Sequence, residues 1–322
     1  MSRSNPDLEA IVRSICDEYV RRWKTKGKKY ISVPSFEQIY AEGCITPIEL
    51  EYTLKNRLPI LNKENSAIPP AIPLLPLSIL RRLAIYMTKT LEIQVNWDHY
   101  EYWAWSAEVF RALENSSFLL KNLCERGVID LLYLLFHISL SKLGYTPQTL
   151  EAAILNRVVD IVVSSHVKHV ITNKFVIGIP IGAATFETVI KLISELYGDA
   201  KIKGKLEKAT LGKALQIFEN DVIPHLPQHL QSDIKEINTI IESIWRTYGS
   251  NWRKILINWR NKFMHGAKTW APRAFAVYTN YVCLLLWHSI SDEEYEQVKK
   301  KILIWKTHRS VDDCWGSYPP PI

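Results

Sequence analysis

The chain has 322 residues, enough for one large or two modest domains, and its 47% hydrophobic and 23% charged residues fit an ordinary globular protein. Forty Lys and Arg against 33 Asp and Glu leave a formal net charge of +7 and a pI near 9.0, a mild lean toward a polyanionic partner. Five scattered cysteines (Cys16, Cys44, Cys124, Cys283, Cys314) without CxxC spacing exclude a zinc ribbon and a disulfide framework and point to a reduced, cytoplasmic protein.

The first residues, "MSRSNPDLEAIVRS", carry no apolar core of the signal-peptide type. Apolar positions at Leu8, Ile11, Val12, Ile15, Tyr19 and Trp23 recur at helical spacing and predict a first helix. The run "RRWKTKGKK" at 21–29 follows, with six cations around Trp23, so Arg21, Arg22 and Lys24 are candidate phosphate contacts. A short helical region at 35–60 leads to four prolines, Pro69, Pro70, Pro73 and Pro76, a stiff connection near 68–77 that no helix can contain. Helical patterns resume from about 77 to 172. The apolar stretch "VIDLLYLLFHISL" at 128–140 holds Asp130 and His137 and is too short to span a bilayer, so it reads as a buried helix with no membrane role.

"NKFVIGIPIGAAT" at 173–185 contains Gly178, Pro180 and Gly182, which predicts a break and a domain boundary. Five helical stretches follow, at about 185–197, 208–221, 228–248, 251–265 and 271–290. Residues 174–290 hold fifteen basic and nine acidic side chains, so +6 of the net +7 sits there. The expected organisation is therefore all-α: an N-terminal helical region at 1–172, a helical bundle at 173–290 and a C-terminal extension at 291–322 ending in the loose "GSYPPPI".

Within the bundle, "WRTYGSNWRKILINWRNKFMHG" at 245–266 repeats Trp-Arg at intervals of seven. Gly249 ends one helix and Ser250 is the expected N-cap of the next, so the repeat is not one coiled-coil seam. On the second helix Trp252, Ile255, Leu256, Trp259 and Phe263 form the buried face. Lys254, Asn258, Asn261 and His265 lie opposite, and Arg260 sits at the border, about 140° from His265 on an ideal helix. Arg260 and His265 can act on one phosphate only if the helix ends near Gly266 or if two copies face each other. Arg offers a planar fork to phosphate oxygens, and His can carry a proton near neutral pH.

"RNKFMHG" resembles the signature of the HEPN superfamily: Arg260, a polar residue directly after it (Asn261), and His265 after four intervening positions, followed by Gly266. The upstream "ATLGKALQIFEND" is also similar to the early-helix region of one HEPN branch, and "APRAFAVYTNYVCLLLWHSI" supplies the helix that follows the motif. The resemblance covers about 175–290. It implies a small helical bundle, a homodimer through this domain, and metal-independent cleavage of RNA by attack of the 2′-hydroxyl on phosphorus. It gives the roles of transition-state stabiliser to Arg260, of orienting group to Asn261 and of general base or acid to His265. No cofactor is expected. Arg253, Lys254, Lys262 and Lys268 are further candidate RNA contacts. Toxin or defence effectors are common in the family, so an antitoxin or other regulatory protein is an expected partner.

The competing readings are a HEPN fold that serves only as a dimerisation, nucleic-acid-binding or scaffold module, and a mere capping role for Arg260 and His265 at a helix C-terminus. The pairs His166 and His169, and His225 and His229, lack a third ligand at metal-site spacing. Neither a glycine-rich phosphate loop nor a Ser-His-Asp constellation is present, which disfavours nucleotide hydrolysis and serine chemistry.

Overall fold

The run "AFAVYTNYVCLLLW" has apolar residues all round a helix and only Thr279 and Asn280 as polar ones, so it has no charged face to offer solvent and has to be surrounded. The computed structural model describes residues 13, 17, 72, 75–92, 97–114, 118–125, 127, 131, 174–264 and 271–308. Among them are ten α-helices and no strand: α1 (Leu77–Thr90), α2 (Trp97–Ala112), α3 (Phe118–Glu125), α4 (Lys174–Tyr197), α5 (Ala200–Leu206), α6 (Leu211–Ile217), α7 (Gln228–Trp245), α8 (Trp252–Met264), α9 (Ala271–Trp287) and α10 (Asp292–His308). The fold is all-α, and among the described residues no helix is long and apolar enough to cross a membrane.

This run lies in α9, and it is the centre of the core. It packs most extensively on α4 and α1, with α2 and α8 as further neighbours. Every residue from Ala274 to Trp287 is buried. Several polar side chains buried around α9 bond to one another. Trp103 Nε1 donates to Asn280 Oδ1 at 2.8 Å, Asn280 Nδ2 donates to Thr88 Oγ1 at 3.2 Å, and Tyr281 donates to Asn238 Oδ1 at 3.1 Å.

One continuous buried cluster runs from Ile72 through α1–α3 and on to α10. The expected boundary near residue 173 therefore does not coincide with a gap in the described core. The helix break expected at 173–185 is corrected: α4 runs from Lys174 through Pro180 without stopping. An interior proline costs about 3 kcal/mol. Downstream, Phe186, Val189, Ile190 and Ile193 on the same helix are buried, each contributing about 1.5–3 kcal/mol, so packing outweighs the local penalty.

The C-terminal extension contains a second difference. Residues 292–308 form a helix within the expected C-terminal extension, for which no element had been assigned. Its start is a capping box, in which Ser291 Oγ accepts from the Glu294 amide and the Glu294 carboxylate accepts from the Ser291 amide at 2.8 Å. Tyr295 is fully buried and donates to the Leu75 carbonyl at 2.9 Å while accepting from Trp105 Nε1 at 3.3 Å.

A polar junction ties α1, α7 and α9 together. Arg82 of α1 pairs with Asp233 and, at 2.6 Å, with Glu236, both on α7. Asp233 also accepts from His288 Nε2, just past α9, at 2.9 Å. Of the expected helix at 8–23, only Arg13 and Asp17 are described. Both are helical, with Arg13 donating to the Tyr86 hydroxyl at 3.0 Å and Asp17 paired with Lys89.

Candidate functional site

α8 is built as its period dictates. Trp252, Ile255, Leu256, Trp259 and Phe263 are buried, while Lys254, Asn258, Arg260, Asn261 and Lys262 are exposed. The Trp-Arg repeat is core packing on its aromatic side. Trp245 and Trp259 meet edge to face at 5.1 Å across the α7–α8 corner, and Trp252 donates from Nε1 to Glu219 at 2.9 Å.

The corner itself differs in detail from the sequence expectation. Asn251, not Ser250, caps α8, its Oδ1 accepting from the Lys254 amide at 3.0 Å. Gly249 is extended, at φ 179°, so it is not a left-handed terminator. A Cβ there would lie 2.7 Å from the Ile255 backbone nitrogen, so close approach of two backbone segments is what requires glycine. Asn258 donates to the Tyr248 carbonyl at 2.6 Å and ties the corner to the middle of α8.

Arg260 stands on the last turns of α8 with no acidic partner among the described residues. Its guanidinium donates to Asn261 Oδ1 at 3.3 Å, so the two side chains are already together. Beneath them, the buried Tyr278 of α9 donates to the Leu256 carbonyl at 2.6 Å. Burial pushes the Tyr278 hydroxyl well above the ordinary tyrosine range, against the opposing pull of the Arg260 backbone, so it remains a donor. The turn that carries Arg260 is thereby pinned to the central helix.

The other candidates divide. His265, Gly266 and Lys268 lie outside the described residues, as do Arg21, Arg22, Lys24, His166 and His169. Lys254 is exposed and forms no ion pair among the described residues. Arg253 is half-buried and bound through Nε to Glu219 at 2.8 Å, so its charge is committed within the fold. Lys262 is exposed but lies 5.0 Å from the centre of the Tyr248 ring, a cation–π contact that holds it over the corner. His229 stacks on His288 at 5.2 Å, and among the described residues no group of three His, Cys, Asp or Glu is placed to hold a metal ion.

Two arrangements escape a reading by motif. One is the Arg82–Asp233–His288 junction, whose members are 151 and 55 positions apart along the chain, so no local pattern reveals it. The other is the lysine-rich α5, which was legible as "KIKGKLEKATLGK" but lies outside the motif that drew attention. No protein-family model matches the chain, and neither the curated proteins nor the solved structures offer a match.

Proposed function

We propose that the chain is a HEPN-like, metal-independent endoribonuclease whose reacting groups are Arg260, Asn261 and His265. The reading is supported chiefly by one observation: Arg260 and Asn261 are exposed, mutually bonded and free of any carboxylate partner among the described residues, at the end of a helix pinned to the core. A surface arginine serving only stability would ordinarily pair with an acid or cover apolar surface.

In the proposed step, the RNA 2′-oxygen forms a bond to the adjacent phosphorus and gives its proton to a base. The bond from phosphorus to the 5′-oxygen then breaks, and the leaving oxygen takes a proton. His265 carries one of these proton transfers, Arg260 stabilises the charge on the phosphorane oxygens, and Asn261 orients the phosphate or His265. The products are a 2′,3′-cyclic phosphate and a 5′-hydroxyl. The angle of about 140° between Arg260 and His265 on an ideal helix favours a site completed by a second copy of the chain. A role as toxin or defence effector, and an antitoxin or regulatory partner, follow from the resemblance alone.

The test is incubation of end-labelled RNA in EDTA with wild type, Arg260→Ala and His265→Ala. Wild type is expected to yield cyclic phosphate ends, with each variant slower by about 10²-fold or more. Equal rates for all three, or cleavage only with added divalent metal, would overturn the reading. Lysine-dependent RNA binding without any cleavage would instead favour the non-catalytic binding module.

A further inference from the structure

The stretch 200–213, "AKIKGKLEKATLGK", holds five lysines against one carboxylate, Glu207. On α5, Ile202 and Leu206 turn inward and are buried, whereas Lys201, Lys205 and, in the turn that leaves the helix, Lys208 are exposed. None of these three forms an ion pair among the described residues. Gly204 lies between them on the outer side, where an added Cβ would meet nothing within 4 Å. Packing therefore gives no reason for a glycine that weakens a helix of seven residues, and its bareness leaves the backbone open to close approach. Tyr197, at the end of α4 and two residues before the Asp199 cap, is 46% exposed, one of two large hydrophobics so placed among the described residues.

This surface leads to the candidate site. Gly212 at the start of α6 rests against Ile257 of α8, where an added Cβ would be 3.2 Å from the Ile257 side chain. Lys254 and Arg260 are each one helical turn from Ile257, so the exposed cations of α8 lie within a turn of its contact with α6.

We propose that Tyr197, α5 and the turn after it form a docking surface for single-stranded RNA that delivers the strand to Arg260. The inference rests on the ribonuclease reading for what happens there, and on charge and exposure for the binding itself. Unpaired lysines neutralise phosphates, and an exposed aromatic ring beside them supplies a platform for a base, the combination that suits single strands. A lipid surface is disfavoured because the apolar side of α5 is already buried in the core, leaving nothing to insert.

The experiment measures fluorescence anisotropy of a labelled, 2′-O-methylated single-stranded RNA, which cannot be cleaved by 2′-hydroxyl attack, with the full chain over a range of salt. The triple variant Lys201→Ala/Lys205→Ala/Lys208→Ala is expected to bind at least about tenfold more weakly and to lower the slope of log affinity on log salt by about 2. Lys→Arg at the same three positions should restore binding. Tyr197→Ala should weaken binding with the slope unchanged, and Lys300→Ala/Lys301→Ala on α10 should do nothing. Binding by the triple variant equal to that of wild type overturns the proposal. So does absence of RNA binding by wild type, or a loss confined to phosphatidylserine vesicles. Cleavage of unmodified RNA is scored separately. Cleavage that depends on His265, with RNA binding indifferent to the lysines, sinks only the docking surface, whereas lysine-dependent binding without cleavage sinks only the catalytic reading.

Discussion

At Gly249 the backbone lies in an extended conformation open to any residue, yet a single methyl group would collide with the amide of Ile255. Gly249→Ala is therefore expected to shift the α7–α8 corner and cost about 1–3 kcal/mol, read as a lower urea midpoint. Tyr278 is the complementary case, a buried hydroxyl that holds α8 from below. Tyr278→Phe keeps the ring and loses one hydrogen bond, so the expected cost is about 0.5–1.5 kcal/mol in the same measurement. If Tyr278 positions the proposed catalytic turn, any cleavage by this variant should fall further than its stability does. The exposed Arg260 and Asn261 carry no such structural burden, and their loss should leave the urea midpoint nearly unchanged.

Helices show how local preference and packing compete. The face of α8 followed from the 3.6-residue period because each turn repeats the choice between core and solvent. In α4 the local signal of Gly178, Pro180 and Gly182 was overruled, since a helix packed along α9 gains more from burial than Pro180 costs. α10 was legible too, since Ser291 and Glu294 spell its capping box and Tyr295, Val298, Ile302 and Trp305 follow at helical spacing. Its anchor is Tyr295, whose hydroxyl serves two partners. Tyr295→Phe leaves the buried Trp105 indole and the Leu75 carbonyl without that partner. A loss of about 1–3 kcal/mol is expected, with an unchanged denaturant slope if α10 folds with the rest.

At the scale of the molecule, the described helices before and after residue 173 share one core, with α9 between α1 and α4. Two buried histidines couple this core to pH. His99, fully buried and bonded to the Met87 carbonyl at 3.0 Å, is pulled down to about 4, chiefly by burial. His288 is likewise lowered by burial, which prevails over Asp233 beside it, with Arg81 and His229 pulling in the same direction as burial. Both take up a proton less readily in the fold than in the unfolded chain, whose histidines titrate near 6.5, so stability is full above that value and falls as pH drops through it. Asp233, held below the ordinary carboxylate range by His288 and Arg82, adds to the loss only in stronger acid. The unfolding free energy should decline by at most about 1.4 kcal/mol per pH unit for each histidine below about pH 6. His288→Asn should flatten that decline, and a pH dependence identical to wild type would show that the Asp233 junction does not carry it.

The sequence by itself determined what depends on near neighbours along the chain: the all-helical character, the buried face of α8, the Gly249–Ser250 break, and the adjacency of Arg260 and Asn261. Periodicity and turn chemistry act over a few residues, so they can be read without knowing what lies opposite. Tertiary structure alone decided the rest. It carried α4 through Pro180, drew α1 and α10 into the core around α9, bound Arg253 to Glu219 and left Arg260 without an acidic partner among the described residues. It also set the lysines of α5 beside α6 and thus near α8. Each of these outcomes depends on side chains brought together from distant positions, where burial and charge pairing outweigh the local preferences that the sequence displays.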